Sequence, residues 1–169
     1  MPARALPSVG ARLDLAARCE AAALESIDLG YRRLEIVGDR CVLAVSRALA
    51  KAGLPRGDFF LVVRGKAEAV SSVEMARRVR KQLWLLGARR VDLYLLEGRT
   101  GAPWGQAWGV LEALRRRGRI GALGAGDMTA GALSELLGAK WGDGKAVKDA
   151  LQVAHGDLAL GDPSTEGSP

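Results

Sequence analysis

Val91-Asp92-Leu93-Tyr94-Leu95-Leu96-Glu97 is a short apolar run with one polar group at its start and one at its end. It follows a helical pattern over residues 73–86 and a Gly-Ala-Arg-Arg turn, giving the order helix, turn, buried parallel strand. In parallel β/α folds the reactive groups gather where strands reach their carboxyl edge. Glu97 therefore stands where a catalytic group is expected.

The same alternation extends in both directions. Strands are predicted at 8–12, 34–37, 59–63, 91–96, 120–125 and 151–154. The intervening helices fall at 13–29, 40–52, from Ser71 or Ser72 to 86, at 105–116, and from a Thr129 cap to about 140. Gly30 follows the first helix, and Gly53 with Pro55 follows the second, both common stop signals. Regular strand-then-helix order implies parallel strands joined by crossovers, satisfied by an open doubly wound sheet or by part of a β/α barrel. A glycine-rich phosphate fingerprint after the first strand would mark the doubly wound sheet; none is present there, and Gly124-Ala125-Gly126, after a late strand, lacks the third glycine. Residues 1–160 read as one domain, and the Gly/Pro/Ser-rich stretch 161–169 reads as a disordered tail.

Composition narrows the function. The chain has 169 residues, 49% hydrophobic, enough for one core. No apolar run reaches the roughly 18 residues that a membrane span requires. Cys19 and Cys41 fit no motif spacing, and with a single histidine in the chain a metal site is not expected. A reduced, cytoplasmic setting is the expectation. Three arginines before residue 19 suggest a transit peptide, but Asp14 and the early helix pattern argue against one. The formal charge is +6. Its basic clusters, Arg32-Arg33, Arg89-Arg90 and Arg115-Arg116-Arg117 with Arg119, each close a predicted helix. There the helix dipole favours cations. All three share the end opposite the expected site. Nucleic acid is not expected, because no aromatic interleaving or recognition motif accompanies them. Trp84, Trp104, Trp108 and Trp141 are read as packing helices and loops onto the sheet. His155 lacks a partner at ligand spacing.

Several segments in order resemble the aldo-keto reductase family. They are Ala22-Ala23-Leu24-Glu25 leading to Gly30-Tyr31-Arg32; Phe60-Leu61-Val62-Val63; and Leu83 with Leu86-Gly87 before Val91-Asp92-Leu93-Tyr94-Leu95. Trp108, Leu111-Glu112 and Leu114 follow, then Gly118-Arg119-Ile120, Ala122-Leu123-Gly124 and residues 133–137. The resemblance covers about residues 20–155 and implies α/β architecture, a partial (β/α)8 TIM-type barrel of about six parallel strands with outer helices. It also implies carbonyl reduction by hydride from NADPH.

The family's proton donor is a tyrosine, tuned by a lysine and an aspartate, with a histidine orienting substrate. The resemblance places Glu35 at the aspartate position, Asp39 nearest the tyrosine, Arg64 at the lysine and Glu97 at the histidine. All four differ in residue type. Arginine holds its proton at neutral pH, so a Glu35–Arg64 pair would keep an ion pair without the chemistry. Lys66, two residues beyond Arg64, is read as pointing to solvent, and nothing in the sequence brings Glu97 and Asp39 together as an acid/base pair. Where the family holds the nicotinamide with Ser-Asn, this chain has Gly126-Asp127, and Gln152 matches the family's glutamine. With the later strands absent, NADP binding is expected to be weak or lost.

The expected function is a non-catalytic or weakly active binding or regulatory domain. The alternatives are an NADP-dependent oxidoreductase with atypical residues, or a fragment of a longer reductase. Open sheet edges are expected to be covered by a second copy or a protein partner.

Overall fold

Strand pairing fixes the order of the sheet. In the computed structural model, which describes residues 7, 9–14, 17–67, 71–141 and 145–146, five parallel strands lie in the order β1-β2-β3-β4-β5. They are β1 (Ala11–Leu13), β2 (Arg33–Val37), β3 (Phe60–Lys66), β4 (Val91–Glu97) and β5 (Ile120–Ala125). Each strand pairs with its predecessor, as Glu35 with Val62, Arg64 with Leu95 and Leu95 with Gly124. The winding never reverses, which is barrel order; a doubly wound sheet has a switch point. The predicted sixth strand at 151–154, with Gln152 and His155, lies outside the described residues, as does the 161–169 tail.

The crossovers are α1 (Cys19–Asp28), α2 (Asp39–Ala52), α3 (Ser72–Leu85) and α4 (Trp104–Arg116), with α5 (Ala130–Gly138) after β5. Beyond α5, β6 (Lys140–Trp141) and β7 (Lys145–Ala146) form a small antiparallel pair. Local chemistry explains several ends. Ser71 and Glu74 make a reciprocal capping box at the start of α3. Thr129 Oγ1 accepts from the Ala132 amide at 3.2 Å. Gly30 turns at φ +89, letting the Gly30 and Tyr31 amides satisfy the last carbonyls of α1.

Alternation divides each strand between two faces. Leu34, Ile36, Leu61, Val63, Tyr94, Leu96 and Leu123 are buried in one core with Val42 and Val45 of α2, Met75 and Val79 of α3, and Trp108 and Leu111 of α4. A Cβ on Gly65 would collide with the Tyr94 ring, so glycine there lets tyrosine lie across the sheet. The opposite face carries Arg33, Glu35 and Val37 of β2 and Leu93 and Leu95 of β4, all half-buried. This concave face holds the charged residues.

Two expectations are corrected. Cys19 and Cys41 are both buried and joined as a disulfide, with Cα atoms 5.3 Å apart. No sequence motif marks the pair. It forms because successive crossover helices begin side by side at the carboxyl edge, and each cysteine lies in a first turn. Trp84 does not pack onto the sheet: it is 78% exposed. At about 100° per residue it falls on the side of α3 opposite Met75. Trp104 and Trp108 are buried, as expected of packing residues. Among the described residues, no helix is long and apolar enough to cross a membrane.

Candidate functional site at the carboxyl edge of the sheet

Arg64 occupies the centre of the strand-end face. It sits near the end of β3 and is only 5% exposed. Its Nη1 lies 2.5 Å from Glu35 Oε1, its Nε is paired with Glu97 Oε1, and its Nη2 lies 2.9 Å from Asp127 Oδ2. One guanidinium thus joins β2, β4 and the turn after β5, a use of its planar fork that an ammonium could not reproduce. The expected Glu35–Arg64 pair is present. Glu97 and Asp127, assigned separate roles by the resemblance, join the same cluster.

The approach to Asp127 depends on its local backbone. A Cβ on Gly126 would stand 2.6 Å from Arg64 Nη2, so a side chain there would displace the guanidinium. Asp127 itself has φ +41, the only positive φ outside glycine among the described residues. Aspartate tolerates that region better than most residues. Arg12 from β1 closes the cluster, its Nη1 donating to Asp127 Oδ2 at 3.0 Å and lying 3.9 Å from Glu35 Oε1. Arg33 Nη2 lies 3.8 Å from the other Glu35 oxygen. Three carboxylates therefore face three guanidiniums. The hydrogen bond from Arg12, then that from Arg64, hold the Asp127 carboxyl below its ordinary value.

A cavity of about 340 Å³ opens beside this cluster, lined by Gly38, Asp39, Arg64, Lys66, Arg78, Gln82 and Glu97 among others. Asp39 begins α2 and accepts from Gln82 Nε2 at 3.0 Å. It also pairs with Lys81 Nζ at 3.4 Å. Glu97 and Asp39 line the same cavity, but no hydrogen bond or ion pair joins them. Lys66 is exposed, as expected of a residue turned to solvent.

The chain has two tyrosines, and neither lines this cavity. Tyr94 donates to Gln82 Oε1 at 3.4 Å from behind the wall. Its burial raises the phenol well above its ordinary value. Tyr31 lies between α1 and β2, at the other end of the sheet.

Arg12, Gln82 and Tyr94 were not singled out for the site from sequence. Gln82 carries a usable signal: it is the polar member of the buried stripe Met75, Val79, Gln82, Leu83 on α3, and a buried amide needs partners. Arg12 has none, since its contact with Asp127 spans 115 positions. Groups of three or more residues able to hold a metal ion are absent among the described residues. Gln152, at the other expected cofactor position, lies outside them.

No model of a known protein family matches the chain. A protein described as an aldo-keto reductase from Mycolicibacterium vanbaalenii is 29% identical over 127 residues, covering 72% of this chain and 45% of that protein. An aldo/keto reductase from Brucella melitensis superposes with a TM-score of 0.70 at 21% identity, covering 78% of this chain and 53% of that one. An aldo-keto reductase from Bombyx mori, solved in complex with NADP, gives a TM-score of 0.67 at 17% identity, covering 79% and 50%. The two solved structures agree with the partial barrel read from strand order. The chain is similar to aldo-keto reductases and spans about half the length of the proteins it matches.

Proposed function

We propose that this chain is a non-catalytic or weakly active aldo-keto-reductase-like binding domain, in which a charge-balanced hub has replaced the machinery of proton donation. The observation that carries the reading is the buried Arg64 compensated by Glu35, Glu97 and Asp127. Reduction of a carbonyl leaves an alkoxide that needs a proton from a positioned acid. Arg64 keeps its proton at neutral pH. Tyr94 is shut behind the cavity wall, with its proton held more tightly by burial.

The nicotinamide position does not fit its expected guest. NADP supplies hydride chemistry when bound, and its carboxamide offers both a donor and an acceptor. Asp127, as a carboxylate, only accepts, and two guanidiniums already engage it. NADP binding is therefore proposed to be weak or lost. What such a domain binds is proposed to be a protein, either a second copy or a partner, that covers β1 and β5. These outer strands are paired on one side only among the described residues, and unpaired strand edges recruit other chains.

The test is a fluorescence titration with NADPH, alongside turnover of simple aldehydes and light scattering after size exclusion. The reading expects no saturable NADPH signal, no efficient turnover and a species larger than a monomer. A second reading, an NADP-dependent oxidoreductase with atypical residues, draws on one observation: Asp39 is accessible at the cavity beside Lys81. Robust turnover lost in Asp39→Ala would make Asp39 the donor and replace the first reading with the second.

A further inference from the structure

At the opposite, amino end of the sheet, a groove of about 430 Å³ runs between the closing turns of α3 and α4, lined by Arg80, Leu83, Trp84, Ala88, Leu114, Arg117 and Arg119. No acidic residue is among them. Among the described residues, Arg80 and Arg117 form no ion pair or side-chain hydrogen bond, and the Arg119 guanidinium donates only to the Arg89 carbonyl at 3.4 Å. Nearby Arg115 and Arg116, in contrast, are taken up by Glu112. The helix dipole accounts for Arg117, which caps α4. It does not account for Arg80, which lies five residues before α3 ends.

Trp84 adds a second, independent feature. It follows Arg80 by four positions, so the two share a face of α3, and its indole is 78% exposed. An indole in water forgoes the burial that large aromatics normally gain. Beneath it, Leu83 and Leu114 are buried and give the groove an apolar floor. Three cations at the rim, one exposed aromatic face and an apolar floor suit a molecule with an anionic end and a planar end. The volume is that of a small-ligand site.

We propose that this groove binds a free nucleotide. The base stacks on Trp84, and Arg80, Arg117 and Arg119 take the phosphates, for which guanidinium forks are matched. The site lies across the sheet from the Arg64 cluster and shares no residue with it, so it stands or falls independently of the proposed function.

Calorimetric titration of the full chain with ATP, and separately with pyrophosphate, tests it. ATP is expected to bind saturably and to quench tryptophan fluorescence. Trp84→Ala should weaken ATP about tenfold or more while leaving pyrophosphate within about twofold, because only the base stacks. Arg80→Ala and Arg117→Ala should weaken both ligands. All three residues are exposed, so the variants are expected to fold, and circular dichroism checks that they do. Absence of saturable ATP binding overturns the proposal. So does ATP binding indifferent to Trp84→Ala and Arg117→Ala, or lost instead in Lys66→Ala, which would place the nucleotide at the carboxyl edge. A single-stranded oligonucleotide binding more than tenfold tighter than ATP would also overturn it, in favour of a nucleic-acid strand.

Discussion

Arginine is used in opposite ways at the two ends of this sheet. At the carboxyl edge, Arg64 is buried and compensated by Glu35, Glu97 and Asp127, drawn from three segments of the chain. At the amino end, Arg32 donates to the Ile27 and Tyr31 carbonyls at the close of α1, while Arg80 and Arg117 line an open groove. One exception proves instructive: Arg56 there does meet a buried carboxylate, Asp92, which also accepts from the Leu61 amide. Burial is the common factor. A charge removed from water must be matched, and the matching partners then fix the positions of the strands that carry them. A charge left in water stays available to a ligand.

The largest expected effect tests the buried side of this contrast. Arg64→Ala leaves Glu97 without its cation, and Glu35 with only the longer contacts to Arg12 and Arg33, and should cost about 3–5 kcal/mol in urea unfolding. Arg80→Ala, the same truncation at the open end, should change stability by less than about 0.5 kcal/mol. Equal effects at the two sites would break the comparison. Arg64→Lys should recover only part of the loss, since one ammonium cannot reach three segments.

A second prediction concerns what else secures the carboxyl edge. The Cys19–Cys41 bridge closes a segment of 22 residues and ties α1 to α2 beside the Arg64 cluster. Cross-links of that length are worth about 3 kcal/mol through the unfolded chain. Cys19→Ser with Cys41→Ser should show that loss, and a reducing agent should lower the thermal midpoint of the native chain but leave the double variant unmoved. A native midpoint indifferent to reductant would remove the bridge from the account.

The fold was largely legible in the sequence because periodicity reports burial directly. The β5 span and the Thr129 cap match the expected residues, and most strand and helix ends fall within a few positions. The first unit is less legible: β1 begins at Ala11 and α1 only at Cys19, since three-residue strands carry little pattern. In the site, Glu35 and Arg64 were legible as a pair because each kept the sign of its expected charge. The convergence of Glu97 and Asp127 on the same guanidinium was not, for it depends on Gly126 leaving space and on the turn at Asp127. The Cys19–Cys41 bridge and the exposure of Trp84 escaped for a related reason. Both depend on the rotational setting of helices against one another, which residue type alone does not encode.

The smallest expected effect is a pH dependence at the rim of the cluster. Asp127 is held below its ordinary value of 3.8 by the hydrogen bond from Arg12 and then that from Arg64. A carboxyl with a depressed folded value binds its proton more readily when unfolded. Its contribution is therefore complete above the ordinary value and disappears as pH falls through the lower, folded one. Asp127 is half-exposed, its side chain 57% accessible, so solvent screens the pair and the contribution should stay under about 1 kcal/mol. Asp127→Asn removes the charge while keeping the shape and the positive-φ tolerance. The stability difference between native and variant chains should be flat from about pH 7 to pH 5 and shrink toward zero as pH falls below 3.8. Thermal midpoints across that range measure it. A difference that instead grows in acid would mean that the Asp127 carboxyl is destabilising once its partners are in place, and Arg64 would then be held by Glu35 and Glu97 alone.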